Sequence, residues 1–211
     1  LFVIVVLFAL PLVAYLFFAS GVNHFARLPI LTEKLYGLEN FETAKNEQLS
    51  FENNISILAF PGEDSYDYLT NAFHLAEKIY KPYHQFKDFY FVFVVPKGSE
   101  AEVEQLKEEL SQIVALSKWR FVYGTKEEIS ELFNSLGTNL ELNQELSSPN
   151  AFIIDKAGKL RGREEDEDGQ KLYGYDTGSI AVLNNKMNDD VKVILAEYRL
   201  ELKKYNKDSS K

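Results

Sequence analysis

Cysteine is missing from all 211 residues. Its absence excludes disulfides, thiol catalysis, iron–sulfur clusters and thiolate copper or zinc sites. Imidazole is scarce too, limited to His24, His74 and His84. There is no phosphate-cradling glycine loop, no nucleophile elbow and no zinc-protease motif. Positive charge is in deficit: the formal net charge is −9 and the pI about 5.0. A surface of that balance repels nucleic acid and anionic lipid, so nucleic acid is not an expected partner.

Charge of either sign is absent from Leu1–Val22. About 22 helical residues reach roughly 33 Å, enough to cross a bilayer core. Pro11 falls mid-span, which membrane helices tolerate. A cleaved secretory signal has a shorter apolar core and small residues before its cut, whereas Phe18 stands where a small side chain is wanted. The expectation is therefore a transmembrane helix over residues 1–22, with the lipid bilayer as a partner. A juxtamembrane lead-in with little regular structure follows over residues 23–52, then one α/β domain over 53–205 and a polar tail over 206–211.

What the chain does have is apolar runs. Ile55-Ser56-Ile57-Leu58-Ala59-Phe60 reads as the first core strand, stopped by Pro61-Gly62. Ser65 is placed to cap a helix carrying Leu69, Ala72, Phe73, Ala76, Ile79, Tyr80 and Tyr83 at spacings of three and four, which Pro82 should end or kink. Asp88–Val95 is a second buried strand, ended by Pro96. Ser99 with Glu102, and Thr125 with Glu128, read as capping boxes for two further helices, and Gly137 as the stop of the second. Trp119-Arg120-Phe121-Val122 is a strand between them. Phe152-Ile153-Ile154 is an unalternating run, as expected of a strand covered on both faces. Lys156-Ala157-Gly158 turns it into a return strand. Ile180–Lys204 keeps helical spacing. Strands alternating with helices imply a mainly parallel sheet between helical layers, with the terminal hairpin adding an antiparallel part.

In order and spacing these pieces resemble the Sco/SenC family of membrane-anchored thioredoxin-fold proteins. The likeness runs from Ile55 to Lys204. It includes Val94-Val95-Pro96, Trp119-Arg120-Phe121-Val122-Tyr123-Gly124, Phe152-Ile153-Ile154-Asp155-Lys156-Ala157-Gly158-Lys159-Leu160-Arg161-Gly162 and Val193-Ile194-Leu195-Ala196-Glu197-Tyr198. It implies a thioredoxin-like fold, a central mixed sheet flanked by helices, with Pro149 in a tight loop (cis in the usual pattern) before the Ala151–Asp155 strand. The family builds the binuclear copper centre of cytochrome c oxidase. Its ligands are two cysteines spaced C-x-x-x-C after the first strand and a histidine before the Phe-x-x-Asp strand. Soft thiolates with one imidazole suit copper in either oxidation state. Here Gly62 and Tyr66 stand where the cysteines belong, and Leu146-Ser147-Ser148-Pro149 where the histidine belongs. No family ligand carries over, so no metal, cofactor or catalytic residue is assigned.

The resemblance therefore implies a non-catalytic accessory or scaffold protein. Its N-terminus would be cytoplasmic and its domain on the outer, periplasmic side of the inner membrane, in contact with a membrane complex. The expected contact surface is Pro61, Gly62, Tyr66, Ser148 and Pro149. Two other readings compete. A residual metallochaperone or metal sensor would use His74, His84 and carboxylates, and an unrecognised enzyme would need a cleft with a perturbed titratable pair. Glu63, Asp64 and Asp67 read more simply as charges near a helix start. The acidic run Glu164–Asp168 reads as a solvated loop, and Asn54-Ile55-Ser56 matches a glycosylation sequon.

Overall fold

The central strand is β3 (Ile55–Phe60), and every residue of it is buried. The computed structural model describes residue 11 and residues 27–208 except 46 and 67, with side chains to residue 200. β3 is hydrogen-bonded to β4 (Phe89–Pro96) in parallel and to β6 (Ser148–Ile154) antiparallel. Its side chains alternate between two cores, as a pleated strand requires. Ile55, Ile57 and Ala59 face one, Leu58 and Phe60 the other.

The first core is closed by three helices. They are α1 (residues 69–83), α2 (Glu100–Ser111) and α4 (residues 180–208). The second core is closed by α3 (Lys126–Ser135) and by the segment before β3. The whole sheet runs β1-β7-β6-β3-β4-β5-β2, with β8 (Tyr175–Asp176) paired to β6. Here β1 is Ile30–Thr32, β2 Glu42–Thr43, β5 Trp119–Gly124 and β7 Leu160–Arg161. The described residues thus form a mixed α/β sandwich of a sheet between helical layers. Parallel β4 and β5 bring Phe91, Phe93, Trp119 and Phe121 into a stack, with ring centroids 5.0–5.3 Å apart.

Several local expectations need correction. The segment before β3 is largely irregular, yet Leu28, Leu38, Phe41 and Phe51 are buried in the cores, and β1 and β2 form both sheet edges. Pro82 stands in the last turn of α1, as expected of a residue that ends or kinks a helix. A π-helical turn over Ala76–Tyr80, where Lys81 N–H reaches Ala76 O, shifts the hydrogen-bond register ahead of the proline, and the helix continues to its cap at His84. Ser65 caps nothing: Tyr68 is the N-cap, and Ser65 Oγ donates to Gly62 O at 3.1 Å. Ser99 is the N-cap of α2 and its carbonyl accepts from Val103 N–H, but its side chain makes no capping bond, because its φ/ψ of −94°/22° is not the extended backbone that a capping side chain needs. Thr125, at −70°/165°, forms the full capping box with Glu128. Apart from residue 11, the expected transmembrane helix over residues 1–22 lies outside the described residues, among which no helix is long and apolar enough to cross a membrane.

A buried clamp that the sequence reading missed ties the ends of the domain together. Arg161 Nη1 donates to Asp155 Oδ2 at 3.0 Å and Nη2 to Glu197 Oε2 at 2.7 Å, while Nε donates to the Leu28 carbonyl at 2.7 Å. Leu28 N–H in turn donates to Glu197 Oε1 at 2.5 Å. Burial alone would lower the Arg161 pKa, but its bonds to Glu197 and Asp155 outweigh it and raise the value. The acidic run is not wholly solvated either. The Asp166 side chain is only 8% exposed and pairs with Lys186 at 2.5 Å and Arg163 at 3.3 Å. Arg163 also holds Asp190, which accepts from Tyr175 Oη at 2.7 Å.

Candidate functional site

The candidate face lies at the C-terminal end of β3, where its exit loop meets the loop that enters β6. Gly62 has φ +90°, a conformation that a residue with a side chain adopts only under strain. Glu63 N–H donates to Glu145 O at 2.8 Å, which presses the two loops together. A Cβ placed on Gly62 would sit 2.7 Å from both Glu145 O and Ser147 Cβ. Asn143 shapes the second loop: its Oδ1 accepts from Glu145 N–H at 3.0 Å and Ser147 N–H at 2.8 Å. The tight turn falls at Leu146, whose φ is +61°, and not at Pro149.

Pro149 is instead the second residue of β6, and its peptide bond is trans, as is every described one. That corrects the cis expectation. Ser148 is fully buried opposite Phe60, and its Oγ accepts from Asn150 N–H at 3.2 Å. Pro61 and Gly62 are buried, Tyr66 is half-buried and Pro149 exposed. The five expected contact residues are therefore gathered at one end, but only Tyr66 and Pro149 offer surface there. Exposed Glu63, Asp64 and Glu145 surround them.

Thr177, unremarked in the sequence, is the hub behind this face. Its N–H and Oγ1 both donate to Pro149 O, at 2.9 and 2.7 Å. Tyr68 Oη lies 3.2 Å from Thr177 Oγ1, and His74 Nδ1 lies 3.0 Å from Thr177 O. A carbonyl only accepts, so Nδ1 of His74 carries the proton. Burial drives the Tyr68 pKa well above that of an ordinary phenol, despite the Thr177 bond. The signal was the Asp176-Thr177-Gly178-Ser179 run before α4. It is a turn in which Asp176 Oδ1 accepts from Gly178 N–H and Ser179 caps the helix.

The two described histidines serve separate partners. His84 is exposed and turns Nδ1 to Lys81 O at 2.8 Å, a bond within its own helix. Among the described residues, no three His, Asp or Glu side chains group as a metal site. Asn54 donates its amide to Glu52 O at 3.1 Å, and the sequon's Ser56 is buried in β3. His24 and Asp67 lie outside the described residues.

The sheet order, with a hairpin on one side of β3 and parallel strands on the other, defines a thioredoxin-like α/β fold. No protein-family model and no curated protein matches the sequence. Solved structures do. A protein of Aquifex aeolicus VF5 proposed to act in electron transport superposes with a TM-score of 0.51 at 12% identity, over 77% of this chain and 96% of its own. Sco structures are among the other similar chains. BsSco, a member of the Sco family of cytochrome c oxidase assembly proteins, gives 0.48 at 12% identity over 78% and 92%. Arabidopsis thaliana ScoI with copper bound gives 0.47 at 14% identity over 75% and 99%.

Proposed function

We propose that this chain is a membrane-held, non-catalytic, Sco-like protein that acts through contacts, as an accessory or scaffold subunit of a membrane complex. The Sco likeness points to cytochrome c oxidase or its assembly as the partner. The anchor is residues 1–22, with the domain on the outer side of the inner membrane. One observation carries the reading: the place after β3 where the family keeps its first cysteine is closed. Gly62 there has no space for a Cβ, Tyr66 replaces the second cysteine, and buried Ser148 follows the position of the histidine. A thiol pair cannot exchange, and a soft metal finds no soft donor. What remains usable at that end is a small surface of Tyr66, Pro149 and flanking carboxylates.

Purification of the detergent-extracted chain, followed by identification of what accompanies it, tests the reading directly. Oxidase subunits or assembly factors should co-purify, less so after Pro149→Arg or Tyr66→Ala. Copper titration of the same preparation should show no binding tighter than micromolar. Stoichiometric tight copper binding that His74→Gln abolishes would replace the scaffold with a residual metal carrier.

A further inference from the structure

The end of the sheet opposite the candidate face holds a groove that the proposed function leaves unused. Its cavity, about 250 Å³, is lined by Ile55, Phe86, Lys87, Asp88, Lys156, Leu195, Tyr198 and Arg199. Its walls are apolar: Leu195 is buried, and Phe86 is 39% exposed, one of the few large apolar side chains left open to water. Its rim is cationic. Lys156 lies over the Tyr198 ring at 5.4 Å and pairs with Asp88 at 2.7 Å. Lys87 and Arg199 are exposed and carry no salt bridge among the described residues. Lys118 bonds the Phe86 and Lys87 carbonyls beside them.

The carboxylates next to the groove are mostly engaged. Lys156 holds Asp88, and Arg161 holds Asp155 and Glu197; Glu52 stands exposed. At the far end Glu63, Asp64 and Glu145 are exposed instead. In a protein with a net charge of −9 the rim of this groove is therefore a local patch of positive charge, while the far end presents exposed acids. The chain's own connection selects the same end. Leu28 is bonded to Glu197, on the same turn of α4 as Leu195, Tyr198 and Arg199. From Val22, the last residue of the uncharged run, to Leu28 an extended chain reaches only about 20 Å. The strand path from Ile55 to Gly62 takes up about 23 Å.

We propose that this groove is laid against an anionic bilayer surface, with Phe86 and Tyr198 at the headgroup level and Lys87 and Arg199 on lipid phosphates. The proposal rests on the anchor reading above. Tyr198, a ring with one polar end, suits that interface, exposed Phe86 adds an apolar ring beside it, and each cation near an anionic leaflet adds attraction that a short tether makes effective. The domain is thereby held upright, and the Tyr66–Pro149 surface faces away from the membrane.

The absence of cysteine makes the test clean. Single Glu52→Cys and Glu63→Cys variants of the full chain are labelled with a fluorophore and reconstituted in phosphatidylcholine vesicles, with or without phosphatidylglycerol and doxyl-quencher lipid. Quenching is expected at position 52, only with phosphatidylglycerol, and not at 63. Adding Arg199→Glu to the position-52 variant should weaken the effect by about fivefold or more, and raised salt should relieve it. Equal quenching at both positions, or none at 52 with anionic lipid, overturns the proposal. Flotation with neutral vesicles reports the anchor separately. A chain that fails to float there loses its anchor reading, while quenching at 52 by added anionic vesicles still decides the groove.

Discussion

Arg161 and Asp155 form an ion pair inside the protein, 3.0 Å apart, with side chains 7% and 3% exposed. The same guanidinium reaches the Leu28 carbonyl and Glu197, so one side chain fastens the entry of the domain to its hairpin and to its last helix. Removing one member of a buried pair strands the other, at a cost of about 3–5 kcal/mol. Arg161→Leu should therefore lower stability by that amount in urea unfolding and speed proteolysis before Ile30. Lys97→Ala breaks the exposed pair with Glu42 and should cost under about 1 kcal/mol. A wild-type unfolding midpoint for Arg161→Leu would show the clamp to be ornamental.

Asp166 sets a pH dependence. Burial works against its charge, but the bond from Lys186, a backbone bond, and the charges of Lys186 and Arg163 together hold its pKa below the ordinary 3.8. A depressed carboxylate stabilises the fold above its unfolded pKa, and that stability is lost as pH falls through the folded value. Stability should thus be flat near neutrality and drop below about pH 4. Asp166→Asn should lower the neutral plateau and make the acid drop shallower; an unchanged acid limb would count against the network.

The two expected capping boxes differ in the structure, and their alanine variants should differ too. Thr125→Ala removes a bond to Glu128 N–H and should cost about 1 kcal/mol. Ser99→Ala removes no helix bond and should stay within about 0.5 kcal/mol of wild type. Equal losses in thermal unfolding would contradict the φ/ψ argument.

Gly62→Ala probes the closed loop. It forces a Cβ against Glu145 O and Ser147 Cβ at a positive φ, so a loss of about 1–3 kcal/mol is expected. Because Gly62 is buried, that loss should appear in stability with or without a partner. Pro149→Arg, at an exposed position, should leave stability nearly unchanged and act on the partner contact alone. If Gly62→Ala were neutral, the loops would be looser than their contacts imply.

Most of the sheet was legible because buried strands announce themselves. Ile55–Phe60, Phe89–Pro96 and Phe152–Ile154 are apolar runs between turn residues, and the helices carry a clear period. What was hidden depends on tertiary partners. Arg161 and Asp155 look like ordinary hairpin charges until Glu197, far along the chain, completes the set. Ile30–Thr32 and Glu42–Thr43 are too short to show a period, and only neighbouring strands make them strands. Ser99 and Thr125 share one motif, and backbone angles decide between them. At the candidate face, the missing donors were readable at Gly62, Tyr66 and Ser148. Thr177 was not, because its role is to hold Pro149 across the sheet.

The strands contributed by the first described residues stand at the two margins of the sheet, β1 beside β7 and β2 beside β5. They act as selvedges. Each lies over unpaired backbone that would otherwise invite another strand. A chain begun at residue 53 would keep most of its core yet bare Leu160–Arg161 on one side and Val122–Tyr123 on the other. Such a fragment should self-associate edge to edge, to a degree that rises with concentration. With those positions paired, an added strand would have to meet the outer margins of β1 and β2, which are only three and two residues long.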